Sequence, residues 1–255
     1  MKKVITFITD FGESAYVGAM KGVIASICPD AKVIDVTHRI KKFDVRHAAY
    51  ELHVVAPYFP KGSIHCVVVD PRVGTERRSL IVETEAHSFV GPDNGVFSFL
   101  QDIKGVYELE VDAASSTFHG RDVFAPAAAR LACGEKPASL GKRAEGIKRI
   151  PLREVEVDGK RVTGEVIVTD YFGNVISNIR KEDLEKAGIG YGDKVLLRVR
   201  GLLQGVRMVE SYGFAKKGEL ICLVGSAGYL EIATNQGDAM ATFGVRGGEE
   251  VVMEG

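Results

Sequence analysis

The sequence predicts an α/β N-terminal domain with a largely parallel sheet, followed by a smaller all-β domain, either a barrel or a sandwich. In the first half, apolar strand-like runs alternate with segments of helical periodicity, the pattern of a parallel sheet covered by helices. In the second half, short strand-like runs punctuated by glycines follow one another. The polar stretch 137–160 separates these halves, so we place the boundary near residue 155, with domains at 1–155 and 156–255.

Five strands and three helices are predicted in the first domain. The strands lie at residues 4–9, 32–37, 63–70, 79–84 and 88–93, and the helices at 14–28, 44–59 and 124–133. Ligands of such sheets bind at the carboxyl ends of the strands. Asp10, Asp70 and Asp93 each follow a strand-like run, so their positions suit a binding site.

The second domain is predicted to contain one helix among its strands. Strands are expected at residues 161–170, 193–200, 219–225, 230–234 and 239–245, and a helix at 181–188. No internal repeat or low-complexity tract interrupts this order.

Composition excludes several classes of protein. The 255 residues carry a net charge of −1 without a basic block, so nucleic-acid binding has little electrostatic support. No apolar run approaches the roughly 18 residues that span a membrane. The N-terminus is interpreted as a core strand rather than a signal peptide, and the protein as cytoplasmic.

The four cysteines lie far apart and form no Cys-x-x-Cys pair. A structural zinc site and a disulfide framework are therefore not expected. We expect buried free thiols instead.

Two stretches place carboxylates at predicted strand ends. Asp10, in the stretch TDFG, can accept two hydroxyl hydrogen bonds, as from a ribose diol, although an N-cap role is equally compatible. Asp70 precedes a strand-stopping proline, and Arg77 follows across a turn that contains Gly74, so the two can form an ion pair. A surface turn with solvated charges is the alternative.

His119 lies in a loop before the third predicted helix. The positive end of that helix is expected to lower the pKa of the imidazole and keep it neutral. The alternative is an ordinary loop histidine beside a helix capped by Asp122. The remaining histidines are expected to be structural or exposed: His38, His47, His53, His65 and His87.

Two further stretches, in the second domain, are polar at predicted turns. In residues 169–174, an aromatic residue and an amide flank a glycine and can stack on and hydrogen-bond a purine. In residues 225–228, Gly-Ser-Ala-Gly can present backbone N–H groups and a hydroxyl to a carboxylate. Ordinary β-turns are the alternative in both places. Dinucleotide, triphosphate, serine-hydrolase and zinc-protease motifs are absent from the sequence.

In combination and in this order, the stretches TDFG, VDPRVGT, GPDNGV, FHGRDVFAPAAA, D-Y-FGN and GS-G-LEIA resemble the S-adenosylmethionine hydroxide adenosyltransferases. This family is related to the bacterial fluorinases and chlorinases. The resemblance runs from near residue 10 to near residue 230 and so covers nearly the whole chain.

The resemblance implies an N-terminal α/β domain, a C-terminal β-barrel and a homotrimer. S-adenosylmethionine would be the substrate, with no cofactor and no metal, and would lie between the N-terminal domain of one subunit and the C-terminal domain of its neighbour. Asp10 would hold the ribose hydroxyls, and Phe172 and Asn174 would contact the adenine. Three further residues are candidates for polar contacts to methionine and adenine: Asp170, Ser226 and Glu231.

The family divides on three charged or titrating positions. Its hydroxide-using members carry an Asp, an Arg and a His where the halogenases carry neutral residues, and these positions match Asp70, Arg77 and His119. Gly120 replaces the serine of the halide position, and the extra loop of the halogenases is missing from residues 79–95.

The resemblance therefore implies hydrolysis to adenosine and methionine by attack of water on ribose C5′. Asp70 and His119 would hold and polarise the water, and Arg77 would orient Asp70, with the proton acceptor left open. The alternatives are a halide-using synthase of the same fold and a protein that binds S-adenosylmethionine or adenosine without turnover.

Overall fold

The computed structural model describes residues 3–110 and 114–255, which form two compact units. The first unit extends to Ile150 and the second comprises Pro151–Gly255, whereas the sequence suggested a division near residue 155. Within the described residues, every helix is too short or too polar to cross a bilayer.

The first unit is built from seven strands and four helices. The strands are β1 (Val4–Thr9), β2 (Lys32–Thr37), β3 (Ile64–Val68), β4 (Ser79–Glu83), β5 (Ser88–Pro92), β6 (Gly105–Leu109) and β7 (Gly141–Arg143). The helices are α1 (Ala15–Ile27), α2 (Val45–Val55), α3 (Ala125–Ala132) and α4 (Pro137–Leu140), with a 3₁₀ turn at Ala56–Tyr58 and a π-helical turn at Gly120–Phe124.

One sheet with the order β2-β1-β3-β5-β4-β6-β7 forms the centre of this unit. The first four strands in that order run parallel, as predicted, and the remaining neighbours pair antiparallel. Two apolar clusters of buried residues cover it, one with α1 and α3 and the other with α2. Because β1 and β3 are parallel neighbours, with Thr9 opposite Val68, the chain leaves both strands at the same edge.

The second unit is a closed barrel. Its strands are β8 (Glu156–Asp158), β9 (Arg161–Thr169), β10 (Val175–Arg180), β11 (Lys194–Val199), β12 (Leu202–Met208), β13 (Leu220–Val224), β14 (Tyr229–Thr234) and β15 (Glu250–Glu254). Its helices are α5 (Lys181–Lys186) and α6 (Ala239–Phe243), with a 3₁₀ turn at Tyr212–Phe214.

Pairing of β10 with β9 closes the ring β10-β14-β13-β12-β11-β15-β9, and β8 extends the sheet beside β9. The predicted fold class, α/β followed by a smaller β-barrel, is confirmed. Closure removes the exposed sheet edges, and apolar side chains fill the interior.

One predicted strand of the barrel is wrong. Residues 239–245 were expected to be a strand, but Ala239–Phe243 form α6. The Asp238 carboxylate accepts a hydrogen bond from the amide of Ala241, and Gly244, with a φ of 62°, ends the helix in the left-handed conformation. These are N-cap and C-cap signals, and they outweigh the apolar composition of the segment.

Candidate active site

A cavity of about 530 Å³ opens at the carboxyl edge of the sheet in the first unit. Its lining comes from the loops that follow β1, β2 and β3 and from the segment before α3. Asp10, Asp70 and His119 all line it, so the structure brings together three residues that are far apart in sequence. The expectation that ligands bind at this edge fits the position of the cavity.

Asp70, in the cavity wall, and Arg77, behind it, form a buried ion pair. Both Nε and Nη2 of Arg77 donate to Oδ2 of Asp70, at 2.8 and 2.5 Å. The side chain of Arg77 is 2% exposed and that of Asp70 is 5% exposed. The alternative of a solvated surface turn is therefore wrong, because solvated charges would be exposed.

Arg77 also joins Asp70 to His119. Its Nη2 lies 2.7 Å from Nδ1 of His119, its Nη1 donates to Oγ of Ser79 at 2.6 Å, and its guanidinium carbon is 5.4 Å from the centre of the Phe124 ring. Arg77 does not itself line the cavity. Its contacts are those of a group that orients its neighbours.

The contact with Arg77 defines the tautomer of His119. A guanidinium has donors and no acceptor, so Nδ1 of His119 must accept, and the proton of the neutral ring is on Nε2. Burial, followed by the charge of Arg77, lowers the pKa of His119, against the opposing effects of Asp70 and Asp122. This is the direction expected from the sequence, and its leading causes in the structure are burial and the charge of Arg77.

The turn between Asp70 and Arg77 depends on Gly74. This residue has a φ of 77°, and a Cβ there would lie 2.4 Å from the carbonyl oxygen of Ser116. Any side chain would both strain the turn and push it away from the segment that leads to His119. On the other side, Nδ2 of Asn94 donates to the carbonyl of Val69 at 2.8 Å and holds the end of the strand.

Asp10 is held by the loop after β2. Its Oδ2 accepts a hydrogen bond of 2.9 Å from the amide of Phe43, a residue in the left-handed region with a φ of 67°. The neighbouring Thr9 places its hydroxyl 2.9 Å from Nδ1 of His38 and accepts from the amide of Phe11. His38 is therefore structural, as expected, and it supports the loop that carries Asp10.

Aromatic side chains on the cavity rim were not predicted to be part of the site. Phe43 is 66% exposed and Tyr16 is 56% exposed, and Phe118 packs edge-on against Tyr16 at 4.9 Å. Exposed rings around a cavity are a common feature of ligand sites, since they cover apolar ligand surface. Phe43 had no signal in the sequence, because its exposure follows from a loop conformation.

In the barrel, Asp170 organises the turn that was predicted to contact the adenine. Its carboxylate accepts from the amides of Phe172 and Asn174, at 2.9 and 2.8 Å, and from Nδ2 of Asn174 at 2.8 Å. Phe172 is 74% exposed. Gly173 packs against Asp238, at the start of α6, so this helix supports the turn.

Tyr212, which the sequence analysis missed, links this turn to Glu231. Its hydroxyl accepts from Nδ2 of Asn174 at 3.2 Å and donates to the Glu231 carboxylate. Burial raises the pKa of Glu231. Ser226, by contrast, is exposed, in the turn between β13 and β14. Of the predicted barrel residues, Asp170, Asn174 and Glu231 thus form one network, and Phe172 and Ser226 present exposed side chains.

Comparison with known proteins identifies the class to which this fold and site belong. Residues 5–141 match the SAM hydroxide adenosyltransferase N-terminal domain, and residues 164–252 match the corresponding C-terminal domain. The α/β unit and the barrel thus correspond to the two domains of one class of proteins. The chain belongs to the SAM hydroxide adenosyltransferase family, and the resemblance found in its motifs is confirmed.

Several relatives match this chain over nearly its full length. The (R)-S-adenosyl-L-methionine hydrolase of Methanocaldococcus jannaschii is 38% identical, covering 90% of this chain and 88% of its own. The protein of the same name from Thermus thermophilus is 37% identical, with coverages of 97% and 98%. A crystal structure of an uncharacterized conserved protein from Thermotoga maritima matches with a TM-score of 0.92 at 37% identity, covering 98% of this chain and 100% of that one. A fluorinase from Nocardia brasiliensis, at 28% identity over 98% of this chain and 96% of its own, is more distant.

Proposed function

We propose that this protein hydrolyses S-adenosyl-L-methionine to adenosine and L-methionine. The observation that carries the proposal is the Asp70–Arg77–His119 cluster, which faces a cavity of about 530 Å³ with one carboxylate and one neutral imidazole. The names of the relatives at 37–38% identity support the same substrate and reaction. Those names also specify the R form, so we extend the proposal to that sulfonium epimer.

In the proposed reaction, the oxygen of a water molecule attacks C5′ of the ribose. The C5′–S bond breaks, its electron pair stays on sulfur, and the cationic sulfonium becomes the neutral thioether of methionine. The water loses one proton, so the products are adenosine, methionine and H⁺. The sulfonium is already a good leaving group, and the reaction as proposed therefore needs no acid, metal or other cofactor.

Asp70 is the proposed acceptor of that proton. Its Oδ2 is occupied by two bonds from Arg77, whereas Oδ1 receives a longer 3.3 Å bond from the amide of Arg72 and retains acceptor capacity. His119 carries its proton on Nε2, so it would donate to the oxygen of the water rather than remove a proton from it. Arg77 acts through both of them and is a positioning residue.

These roles match the demands of the reaction. Holding the water in line with C5′ lowers the activation barrier by orienting the nucleophile. Removing the proton of the water raises the rate by roughly two to four orders of magnitude. Asp10 would hold the ribose hydroxyls, since its second oxygen can accept alongside the one bonded to Phe43.

We further propose that the barrel of a neighbouring subunit completes the site in a homotrimer. The support is the exposure of the candidate adenine contact Phe172, at 74%, and of the rim residue Phe43, at 66%. Asn174, Asp170, Ser226 and Glu231 would then supply the polar contacts to adenine and methionine.

The experiment is incubation of the purified protein with each sulfonium epimer, with and without fluoride or chloride, scored for adenosine, methionine and 5′-halogenated adenosine. We expect adenosine and methionine in equal amounts from the R form, unchanged by halide. A halogenated product would establish a halide-using synthase, for which the distant fluorinase is the precedent. Binding without any product would establish a non-catalytic binding protein.

A further inference from the structure

Two cysteines outside the active site lie together in the first unit. Cys28 is the C-cap of α1 and Cys133 is the C-cap of α3. The Cys133 thiol donates to the carbonyl of Ile27 at 3.6 Å, which places its sulfur beside the residue that precedes Cys28. Both line a surface cavity of about 440 Å³, which gives small molecules access.

The two thiols differ in accessibility. Cys133 is exposed, whereas Cys28 is 7% exposed, so an oxidant in solution reaches Cys133 first. The sequence analysis expected buried thiols throughout, and for Cys133 this is wrong. The neighbouring Cys133 thiol, followed by burial, raises the pKa of Cys28. The other two cysteines, Cys66 and Cys222, lie inside strands and are fully buried.

We propose that Cys28 and Cys133 form a reversible disulfide that ties the ends of α1 and α3 together when the protein meets hydrogen peroxide. The Cys133 thiolate attacks a peroxide oxygen, the O–O bond breaks, and Cys133 becomes a sulfenic acid with release of hydroxide. The Cys28 sulfur then displaces the sulfenic oxygen, which leaves as water, and the S–S bond forms. In total, two thiols and one hydrogen peroxide give one disulfide and two water molecules, and a dithiol such as dithiothreitol reverses the change.

The disulfide would act as a brace. It joins residues that are more than a hundred positions apart in sequence, and cross-links across long loops restrict the unfolded chain most. Cys133 is at the C-terminal end of α3, whereas His119 precedes the π-helical turn at the other end of the same helical run. We therefore expect oxidation to raise thermal stability and to leave the Asp70–Arg77–His119 cluster unchanged. This proposal does not depend on the proposed hydrolase activity.

The test treats the reduced full-length protein with a small excess of hydrogen peroxide, followed by alkylation of free thiols in denaturant and mass spectrometry. We expect the loss of two hydrogens per chain, a cross-linked peptide pair containing Cys28 and Cys133, and alkylation of Cys66 and Cys222. Calorimetry should show a rise of ~5 °C in melting temperature, reversed by dithiothreitol.

Cys133→Ser is the matched control, since it leaves Cys28 and the two core cysteines in place. In this variant peroxide should produce neither the cross-link nor the rise in melting temperature. The proposal is overturned if wild-type Cys133 proceeds to sulfinic acid while Cys28 remains a thiol, or if Cys133 links two chains instead. It is also overturned if the intramolecular bond forms but lowers the melting temperature, because the disulfide would then strain the fold.

Discussion

Asp70 is the residue on which the proposed chemistry depends most. Replacement Asp70→Asn preserves the size of the side chain and one oxygen for Arg77 but removes the basic carboxylate. We expect the single-turnover rate of adenosine formation to fall by roughly two to four orders of magnitude. Calorimetric affinity for S-adenosylmethionine should change by about threefold or less, because a group needed in the transition state contributes little to ground-state binding.

Asp10→Asn is the control for this variant, because Asp10 lines the same cavity but is assigned to the ribose. The Asp10→Asn variant should bind S-adenosylmethionine more weakly, whereas its rate at saturating substrate should change less. An Asp70→Asn enzyme that turns over at the wild-type rate would show that the buried ion pair is only structural.

At this scale, the sequence predicted where polar residues follow strands better than it predicted the contacts between side chains. Asp10 and Asp70 were placed correctly at strand ends, because a polar residue after an apolar strand is a local signal. The contact between Arg77 and His119 spans 42 positions and depends on the path of two loops, which no local pattern encodes. Tyr212 was missed for the same reason, since its partners Asn174 and Glu231 come from other segments.

At the scale of elements, the turn that carries Arg77 is tested by Gly74→Ala. A Cβ at this position meets both a left-handed backbone and the carbonyl of Ser116 at 2.4 Å. We expect a loss of stability above the ~1 kcal/mol typical of a strained glycine position. Activity should also fall, because the displaced turn moves Arg77 away from His119.

Gly62→Ala separates the effect of the left-handed backbone from the effect of the contact with Ser116. Gly62 also has a positive φ, of 87°, but a Cβ there has no neighbour within 4 Å, and the residue lies in the turn before β3 rather than in the cavity wall. Thermal melts and kinetics of both variants provide the measurement. Equal losses of stability, with activity retained in both, would contradict the role assigned to the Gly74 contact.

Helix α6 and the π-helical turn are two of the elements that were not predicted, and the others include strands β6, β7, β8, β10, β12 and β15. The apolar composition of residues 239–245 suggested a strand, but capping by Asp238 and Gly244 decides the conformation of so short a segment. The π-helical turn Gly120–Phe124 was not predicted, since the packing of Gly120 beside Met20 exists only in the folded chain. The alternating first half was predictable because strand and helix periodicities are local.

At the scale of the whole molecule, buried histidines make stability depend on pH. His65 is fully buried, with Nδ1 2.8 Å from the Thr6 hydroxyl, and burial, followed by the charge of His87, lowers its pKa from 6.5 to about 3. A folded-state pKa below the unfolded value means that the unfolded chain binds the proton more readily. The stability from a neutral His65 is therefore complete above pH 6.5 and is lost as the pH falls towards 3.

Denaturant unfolding between pH 6.5 and 4 measures this effect. His65 should contribute up to about 1.4 kcal/mol per pH unit to the fall in unfolding free energy. His65→Asn, which retains a hydrogen-bonding group for Thr6, should show a slope reduced by that amount. Identical slopes in the two proteins would mean that His65 does not remain neutral in the fold.

The proposed homotrimer makes a separate prediction for the whole molecule. Light scattering on active protein should give a mass near three chains of 27.6 kDa. Phe172→Ala should weaken substrate binding without altering the fold, because the ring is 74% exposed in one chain and is assigned to the adenine. A fully active monomer would contradict the shared site.

In the proposed reaction the oxygen of water becomes the 5′-hydroxyl of adenosine, and isotope labelling follows that atom. The protein is given S-adenosylmethionine in water enriched in ¹⁸O, and the products are analysed by mass spectrometry. We expect one heavy oxygen in adenosine, at the 5′ position, and none in the methionine released within the same turnover. Unlabelled adenosine would contradict attack by water at C5′, and so would a labelled alcohol released together with a thioether that keeps its adenosyl–sulfur bond.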